Sequence, residues 1–217
     1  MRTMSAGGFF AMVLLAGLLV VGYFAGQRGL ADVMAQEPRY EMERWRSGKF
    51  VPDATRRNAM LVALNEARNL DPQNPTLLEE LALFHAMRVD GRYNHDASVR
   101  EARQQSLTGF RRALEQRSTS GQGWFNVALM KFRLGEIDQE FSQSLLQAMR
   151  RSPWEPTVQL HAIELGLANW QNLADPLREA LKQAIQAQAR WQLVKQKSAL
   201  QSLLKRYGRA DLDYLLE

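Results

Sequence analysis

The chain has 217 residues, of which 46% are hydrophobic and 24% are charged, and its formal net charge is +5. Because the sequence contains no cysteine, disulfides, thiolate metal sites and cysteine nucleophiles are excluded. The charges are mixed through most of the chain, which is typical of solvated helix faces, so we expect no nucleic-acid partner.

The first element is an uncharged and mostly apolar run near the N-terminus, GGFFAMVLLAGLLVVGYFAG. About 20 apolar residues are enough to cross a bilayer as a helix. Residues 1–27 are therefore predicted to be a membrane anchor, with the membrane span over 8–26. The alternative is a cleaved signal peptide, for which Val33-Met34-Ala35 imitates a cleavage site. The apolar run exceeds the roughly 7–15 residues usual in signal peptides, which favours the anchor.

The orientation of the anchor depends on the Lys and Arg residues near its ends. Arg2 lies on the N-terminal side, and the other side has Arg28, Arg39, Arg44 and Arg46. The number of arginines alone slightly favours a cytoplasmic location for the domain that follows the anchor. A short tail before a single apolar segment is, however, the ordinary layout of a bacterial signal anchor that exports the domain attached to it. We therefore expect a single-pass inner-membrane protein whose soluble domain is periplasmic.

Gly22 and Gly26 form a G-x-x-x-G pair within the apolar run. Such a pair lets two membrane helices approach closely, so a homo-oligomer through this face is one hypothesis. The alternative is an ordinary lipid-facing helix, because the pattern is common in apolar segments.

The segment after the anchor, residues 28–40, is polar and is predicted to be a short irregular stalk. An all-helical domain is expected over 41–217. Its first part is typical of two helices separated near Gly48 and Pro52, because each residue interrupts a helix. These helices are predicted to form a hairpin over about 41–72.

A second hairpin is predicted over about 75–118, with Asn74 as the N-cap and Pro75 in the first turn. It contains about twelve more residues than a 34-residue repeat allows, around VDGRYNHDASVR. Within this insertion, Asp90, His95 and Asp96 are the only cluster that resembles a ligand set. The alternative is that Asp96 caps the following helix. We expect no metal, no cofactor and no catalytic residue.

The third predicted hairpin, over about 121–153, has bulky and small residues at fixed spacing. Trp124 is four residues into it, and Gly135 follows the first helix and is expected to end it. The residues that fit the pattern are Trp124, Val127, Ala128, Gly135, Ala148 and Pro153. This spacing resembles a tetratricopeptide repeat. We expect Trp124 to be buried against the helix that holds Leu145 and Ala148, and Lys131, where the repeat usually has an aromatic residue, departs from the pattern.

The fourth hairpin is predicted over about 156–190, and His161 falls on one of its core positions, as His85 does in the second hairpin. Both are expected to be packed histidines. A capping helix is expected over 191–207, ended by Gly208. Residues 176–207 contain no glycine and only Pro176 at their start, so they form either one long helix or two helices that bend near Arg190 and Trp191.

The last part of the chain is basic, since residues 178–209 contain eight Lys or Arg and one acid, Glu179. Lys195, Lys197 and Lys205 are a candidate docking surface for lipid head groups or an acidic partner. A solvated polar helix face is the alternative.

The resemblance to tetratricopeptide repeats implies a concave groove that is lined by the first helix of each hairpin. Its partner-binding positions correspond here to Gln122, Phe125, Leu129, Phe132 and Arg133. In the preceding hairpin they correspond to Thr76, Glu79, Leu83, Ala86 and Met87. The groove residues either pack against a neighbouring helix or bind a partner helix or peptide.

Three segments, GWFNVALMKFRLGEIDQEF, SPWEPTVQ and LANWQNL, together with the single N-terminal anchor, resemble VpsP-type accessory proteins of bacterial exopolysaccharide clusters. Trp154-Glu155-Pro156 and Trp170 carry this resemblance, which covers roughly residues 8–175. It implies a role in making or exporting surface polysaccharide.

Three functional hypotheses result. The first is a membrane-anchored scaffold that binds other proteins of a polysaccharide assembly complex. The second is an anchored periplasmic chaperone or assembly factor for cell-envelope complexes. The third is an enzyme that uses the Asp90–Asp96 insertion, which we regard as the weakest because no catalytic motif is present in the sequence.

Overall fold

The structure is a computed structural model that describes residues 6–92, 94–191 and 194–216. These residues form helices and connecting turns, with no strand among them, so the protein is all-α. The α-helices are α1 (Ala6–Arg46), α2 (Ala54–Leu70), α3 (Pro75–Met87), α4 (Ala97–Gln116), α5 (Gly121–Leu134), α6 (Gln139–Arg151), α7 (Pro156–Ala168), α8 (Asp175–Trp191) and α9 (Val194–Arg206). Two short 3-10 helices follow α7 and α9, at Trp170–Asn172 and Ala210–Leu216.

The chain divides into two compact units, and the division falls between Phe84 and His85, inside α3. The hairpin expected over 75–118 is therefore split, because most of α3 belongs to the first unit and all of α4 to the second. The caps expected for these helices are confirmed. The side chain of Asn74 accepts a hydrogen bond from the backbone N–H of Thr76 at 3.0 Å, and that of Asp96 accepts one from Ser98 at 2.9 Å.

In the first unit, the N-terminal half of α1 is long and apolar enough to cross a membrane. Its described side chains between residues 12 and 26 are all exposed. Gly22 and Gly26 lie on this exposed stretch, and a Cβ added to either would have no neighbour within 4 Å. The lack of covering residues is the property expected of a segment that faces lipid.

The prediction of an irregular stalk over 28–40 is wrong, because α1 continues through this segment as a helix. One face of α1 is buried here. It consists of Ala31, Ala35, Pro38 and Met42, which are four, three and four residues apart. The buried side chains of α2 are Met60, Leu64 and Ala67. Small residues such as Ala31 and Ala35 let α1 and α2 approach closely. Residues 28–40 therefore form part of one arm of a helical hairpin with α2.

Ion pairs fix the register of the α1–α2 hairpin at both ends. Arg28 lies 3.7 Å from Asp71 at the open end, and Arg56 lies 2.5 Å from Glu41 near the turn. The hairpin thus begins near residue 28 rather than at residue 41, and its turn covers the interruption expected at Gly48 and Pro52.

In the second unit, successive helices from α4 to α9 pack against one another, and one large apolar core lies among the helices that follow α4. The core unites residues of α5, α6, α7, α8 and α9, including Leu145, Ile163, Leu181 and Leu204, all of which are fully buried. Leu212, Leu215 and Leu216 of the last 3-10 helix also belong to this core. No structure was predicted for that segment from the sequence.

Residues 176–207 form two helices rather than one. The guanidinium of Arg209, just after α9, lies 4.2 Å from the ring centre of Trp170, just before α8. The start of α8 and the end of α9 therefore lie close together. Gly208 ends α9 as expected, with a positive φ of 65°.

Candidate functional site: an apolar groove on the second unit

A groove of about 350 Å³ opens between α5 and α7. Its lining is Phe125, Leu129, Phe132, His161, Glu164, Leu165, Ala168 and Tyr207. Five of these side chains are purely hydrocarbon, and Glu164 is the one acidic residue in the lining. The site is therefore suited to bind an apolar surface.

The α5 side of the groove follows from the spacing of its residues, since i, i+4 and i+7 share one helix face. Phe125, Leu129 and Phe132 have this spacing, and each lines the groove as predicted. The helix is fixed at both ends. The Ser120 side chain accepts a hydrogen bond from the Gly123 N–H at 3.0 Å, and Gly135 ends the helix with a φ of 79°.

Exposure increases along the α5 side of the groove. Phe125 is 7% exposed and forms the floor, Leu129 is half-buried, and Phe132 is 38% exposed at the rim. Both alternatives for these residues, packing inside the domain and forming a binding surface, therefore apply in part. Phe125 belongs to the core, whereas Phe132 leaves apolar surface open to solvent.

His161 was expected to be a packed core histidine, and this prediction is wrong. Its side chain is exposed, and its ring stacks on Phe125 with 5.8 Å between ring centres. His85 is packed, as expected. Its burial, together with neighbouring Arg88, lowers the pKa of His85 to about 4, so it is neutral at physiological pH.

One edge of the groove is polar. The Glu164 carboxylate accepts hydrogen bonds from the Arg206 guanidinium at 3.0 Å and from the Tyr207 hydroxyl at 3.4 Å. These bonds hold the ring of Tyr207 over the end of the groove. Tyr207 lies in the turn just after α9, so no pattern within α5 or α7 pointed to it.

Seven of the ten residues predicted for the groove are not in its lining. Among them, the Arg133 guanidinium lies 2.8 Å from the Asp90 carboxylate. Glu79 and Leu83 belong to the first unit, where both are half-buried. The lining thus contains three of the ten residues that the repeat resemblance implied.

Trp124 lies next to the groove and was expected to be buried. It is half-buried, and it packs against the core that contains Leu145 and Ala148. Its indole Nε1–H donates a hydrogen bond to the Ser118 carbonyl oxygen at 2.9 Å. The predicted packing is confirmed, while the predicted degree of burial is too high.

Lys131, the residue that departs from the repeat pattern, is buried with its side chain 4% exposed. Its ammonium lies 2.9 Å from Glu136, 2.7 Å from Asp138 and 3.0 Å from Glu140. Burial alone would lower the pKa of Lys131, but the hydrogen bonds to these carboxylates raise it above its usual value. Arg111 of α4 also binds Glu140, at 2.5 Å, so the cluster joins α4, α5 and α6.

The insertion between α3 and α4 is held by Arg103 of α4, which is 8% exposed. Its guanidinium donates hydrogen bonds to the carbonyl oxygens of Arg92 at 2.6 Å and Arg133 at 2.9 Å, and to the Asn94 side chain. These contacts give the insertion a structural role. Among the described residues, no group of three potential ligands is arranged to hold a metal ion.

The candidate basic surface is not a compact cluster. Lys197 and Lys205 are exposed on α9, but they are eight positions apart, which corresponds to about 12 Å of helix. The side chain of Lys195 lies outside the described residues.

Among known proteins, no family model, no curated protein and no solved structure matches the chain.

Proposed function

We propose that the protein is a membrane-anchored helical-repeat scaffold that binds an amphipathic helix of a partner protein in the groove between α5 and α7. The observation that carries this proposal is the open apolar lining of the groove, and Phe132 at its rim in particular. An exposed phenylalanine beside a concave apolar site is the usual anchor for helix-in-groove recognition. The groove volume lies within the range of about 300–1,000 Å³ that ligand sites occupy.

The membrane part of the proposal is supported by the continuity of α1. If a peptidase cut after Ala35, the fully buried side chains of Ala31 and Ala35 would be removed from the hairpin with α2. The apolar half of α1 is therefore retained and spans the inner membrane. The soluble units are exported to the periplasm, and the partners belong to a surface-polysaccharide assembly complex, in keeping with the resemblance to VpsP-type proteins.

The groove is tested with a charge at its rim. Phe132→Glu alters a side chain that is 38% exposed, so the fold is retained, whereas a charge at Phe125 would disrupt the core. The matched control is Gln143→Glu, which adds the same charge at an exposed position of α6. A photo-crosslinking amino acid at position 132 is expected to join the wild-type partner in cells, and one at position 143 is not.

Partners that co-purify with the wild-type protein should be lost with Phe132→Glu and kept with Gln143→Glu. If the folded Phe132→Glu variant still captures them, the binding site lies outside the groove. Partners unrelated to polysaccharide synthesis, such as envelope proteins awaiting assembly, would instead support the chaperone hypothesis.

Topology is tested with reporter fusions after Glu217. An exported domain predicts active alkaline phosphatase and dark green fluorescent protein. Bright fluorescence with inactive phosphatase would place the domain in the cytoplasm, which the arginine count slightly favours.

A further inference from the structure

One end of the second unit brings together three turns of the chain. A Cβ added to Gly121 would lie 1.9 Å from the Ser152 Oγ, so the α4–α5 and α6–α7 connections are in contact. The Gln188 side chain donates a hydrogen bond to the Pro153 carbonyl oxygen at 3.4 Å, which adds the end of α8. We call residues 112–121, 147–157 and 186–191 the basic end.

The basic end has an excess of positive charge. Its three segments contain five arginines and two glutamates. Arg150, Arg151 and Arg190 are exposed there, and one of the two acids, Glu155, accepts a hydrogen bond from the Ser152 hydroxyl at 2.7 Å. Arginines in the last turn of a helix stabilise its dipole, so charge alone would have an ordinary structural explanation.

Trp154 differs from these arginines, because it is an uncharged aromatic residue and most of its surface is exposed. It lies at the tip of the α6–α7 connection, between Pro153 and Glu155, and is 71% exposed. An exposed tryptophan does not stabilise a core, but its indole prefers the boundary between water and lipid. Tryptophan beside several arginines is the combination that binds a bilayer with anionic head groups.

We infer that the basic end docks on anionic lipid head groups of the membrane in which the chain is anchored. Arg150, Arg151 and Arg190 contact the phosphates, and the Trp154 indole inserts at the level of the head groups. This inference rests on the membrane part of the proposed function and does not depend on the groove. It assigns Trp154 a function at the membrane surface.

The test uses the full chain inserted into lipid vesicles. Because the sequence has no cysteine, Thr157→Cys provides a single site for an environment-sensitive dye beside Trp154. Gln171→Cys is the matched control, since Gln171 is exposed at the other end of α7. Quenching of the dye by spin-labelled lipid reports contact with the bilayer. The vesicles are phosphatidylcholine alone, or phosphatidylcholine mixed with phosphatidylglycerol.

We expect quenching at position 157 only in vesicles that contain phosphatidylglycerol, and none at position 171. Each arginine near an anionic surface contributes about fivefold to the docking equilibrium, so Arg150→Gln with Arg151→Gln should lower the docked-to-free ratio about 25-fold. Trp154→Ala should also lower it. Arg88→Gln with Arg100→Gln removes two exposed charges elsewhere on the second unit and should leave it unchanged.

Absence of quenching at position 157 in every vesicle overturns the inference, provided that the protein floats with the vesicles. Equal quenching in uncharged vesicles overturns the role of the arginines. A dye response to soluble polyglutamate without quenching by lipid would show that the basic end binds an acidic protein instead. If the protein does not float with vesicles at all, the membrane anchor itself is refuted, which is a separate result.

Discussion

Replacement of Lys131 by methionine tests whether the buried ion cluster holds α4, α5 and α6 together. Methionine keeps the length and the apolar stem of the side chain but removes the ammonium. Three carboxylates, those of Glu136, Asp138 and Glu140, then lose the cation that lies within 3.0 Å of each of them. Arg111 remains on Glu140, so the cluster is weakened and not abolished.

The expected loss in the free energy of unfolding lies between two limits. Removing one partner of a fully buried ion pair costs about 3–5 kcal/mol, whereas exposed pairs contribute about 0.2–1 kcal/mol. Lys131 is buried, but its three partners are 37–53% exposed and are hydrated when it is removed. We therefore expect Lys131→Met to lower the free energy of unfolding of the second unit by about 2 kcal/mol at pH 7.

The difference in the free energy of unfolding between wild type and Lys131→Met should depend on pH. Hydrogen bonds from Arg111 lower the pKa of Glu140. Burial would raise that of Asp138, but the hydrogen bond from Lys131 lowers it overall. Their contribution is thus present above their unfolded-state pKa of about 4 and is lost as the pH falls through the folded-state values. Lys131 has a raised pKa, so its contribution is present below about pH 10 and is lost only at higher pH.

The measurement is urea-induced unfolding of the full chain in detergent, followed by circular dichroism at pH 7 and at about pH 3.5. The difference should be smaller at the lower pH than at pH 7, because pH 3.5 lies below the unfolded-state pKa of these carboxylates. Lys182→Met is the matched control, because Lys182 pairs only with Glu179, at 3.4 Å, and a change below about 0.5 kcal/mol is expected. A Lys131→Met effect as small as the control, or one of equal size at both pH values, would refute the structural role of the cluster.

Three further substitutions test packing by the same urea titration. Trp124→Ala should cost about 2–3 kcal/mol, less than a fully buried tryptophan, and a loss under about 1 kcal/mol would contradict its packing on the core. Gly166→Ala should cost about 1–3 kcal/mol, because the new Cβ would lie 2.5 Å from a methyl of Leu181. Gly29→Ala, which meets no neighbour within 4 Å, should not destabilise, and equal effects of the two glycine changes would argue against the close approach. Ala35→Leu should cost about 1–3 kcal/mol by overfilling the α1–α2 hairpin, and wild-type stability would show that this face is open.

Local signals in the sequence predicted the helix boundaries well. The caps at Asn74 and Asp96 and the helix ends at Gly135 and Gly208 depend on a few neighbouring residues, and the structure has all of them. Phe125, Leu129 and Phe132 were placed on one face by their spacing alone. Each of these features is determined within one or two turns of chain.

The features that were predicted wrongly or not predicted at all depend on contacts with residues outside the same helix. Residues 28–40 are polar on average, and their burial becomes visible only when α2 covers Ala31 and Ala35. Lys131 departs from the repeat pattern, yet its carboxylate partners come from the next loop and helix. Tyr207 joins the groove from the turn after α9, more than 30 residues beyond the last groove residue of α7. Spacing within one helix carries no information about such contacts.

Helix α1 connects the apolar segment directly to the α1–α2 hairpin, so a tilt of the apolar segment displaces the hairpin. At a rise of 1.5 Å per residue, the 19 residues after Gln27 extend about 28 Å beyond the apolar segment. A tilt of about 20°, which is ordinary for membrane helices, would therefore swing the turn of the α1–α2 hairpin sideways by about 10 Å. Because α1 continues as one helix, through Pro38, from the apolar segment to the hairpin, a change in bilayer thickness that altered the tilt of a membrane-inserted apolar segment would also move the hairpin. The thickness of the surrounding membrane would thus help to determine where this unit can meet a neighbouring protein.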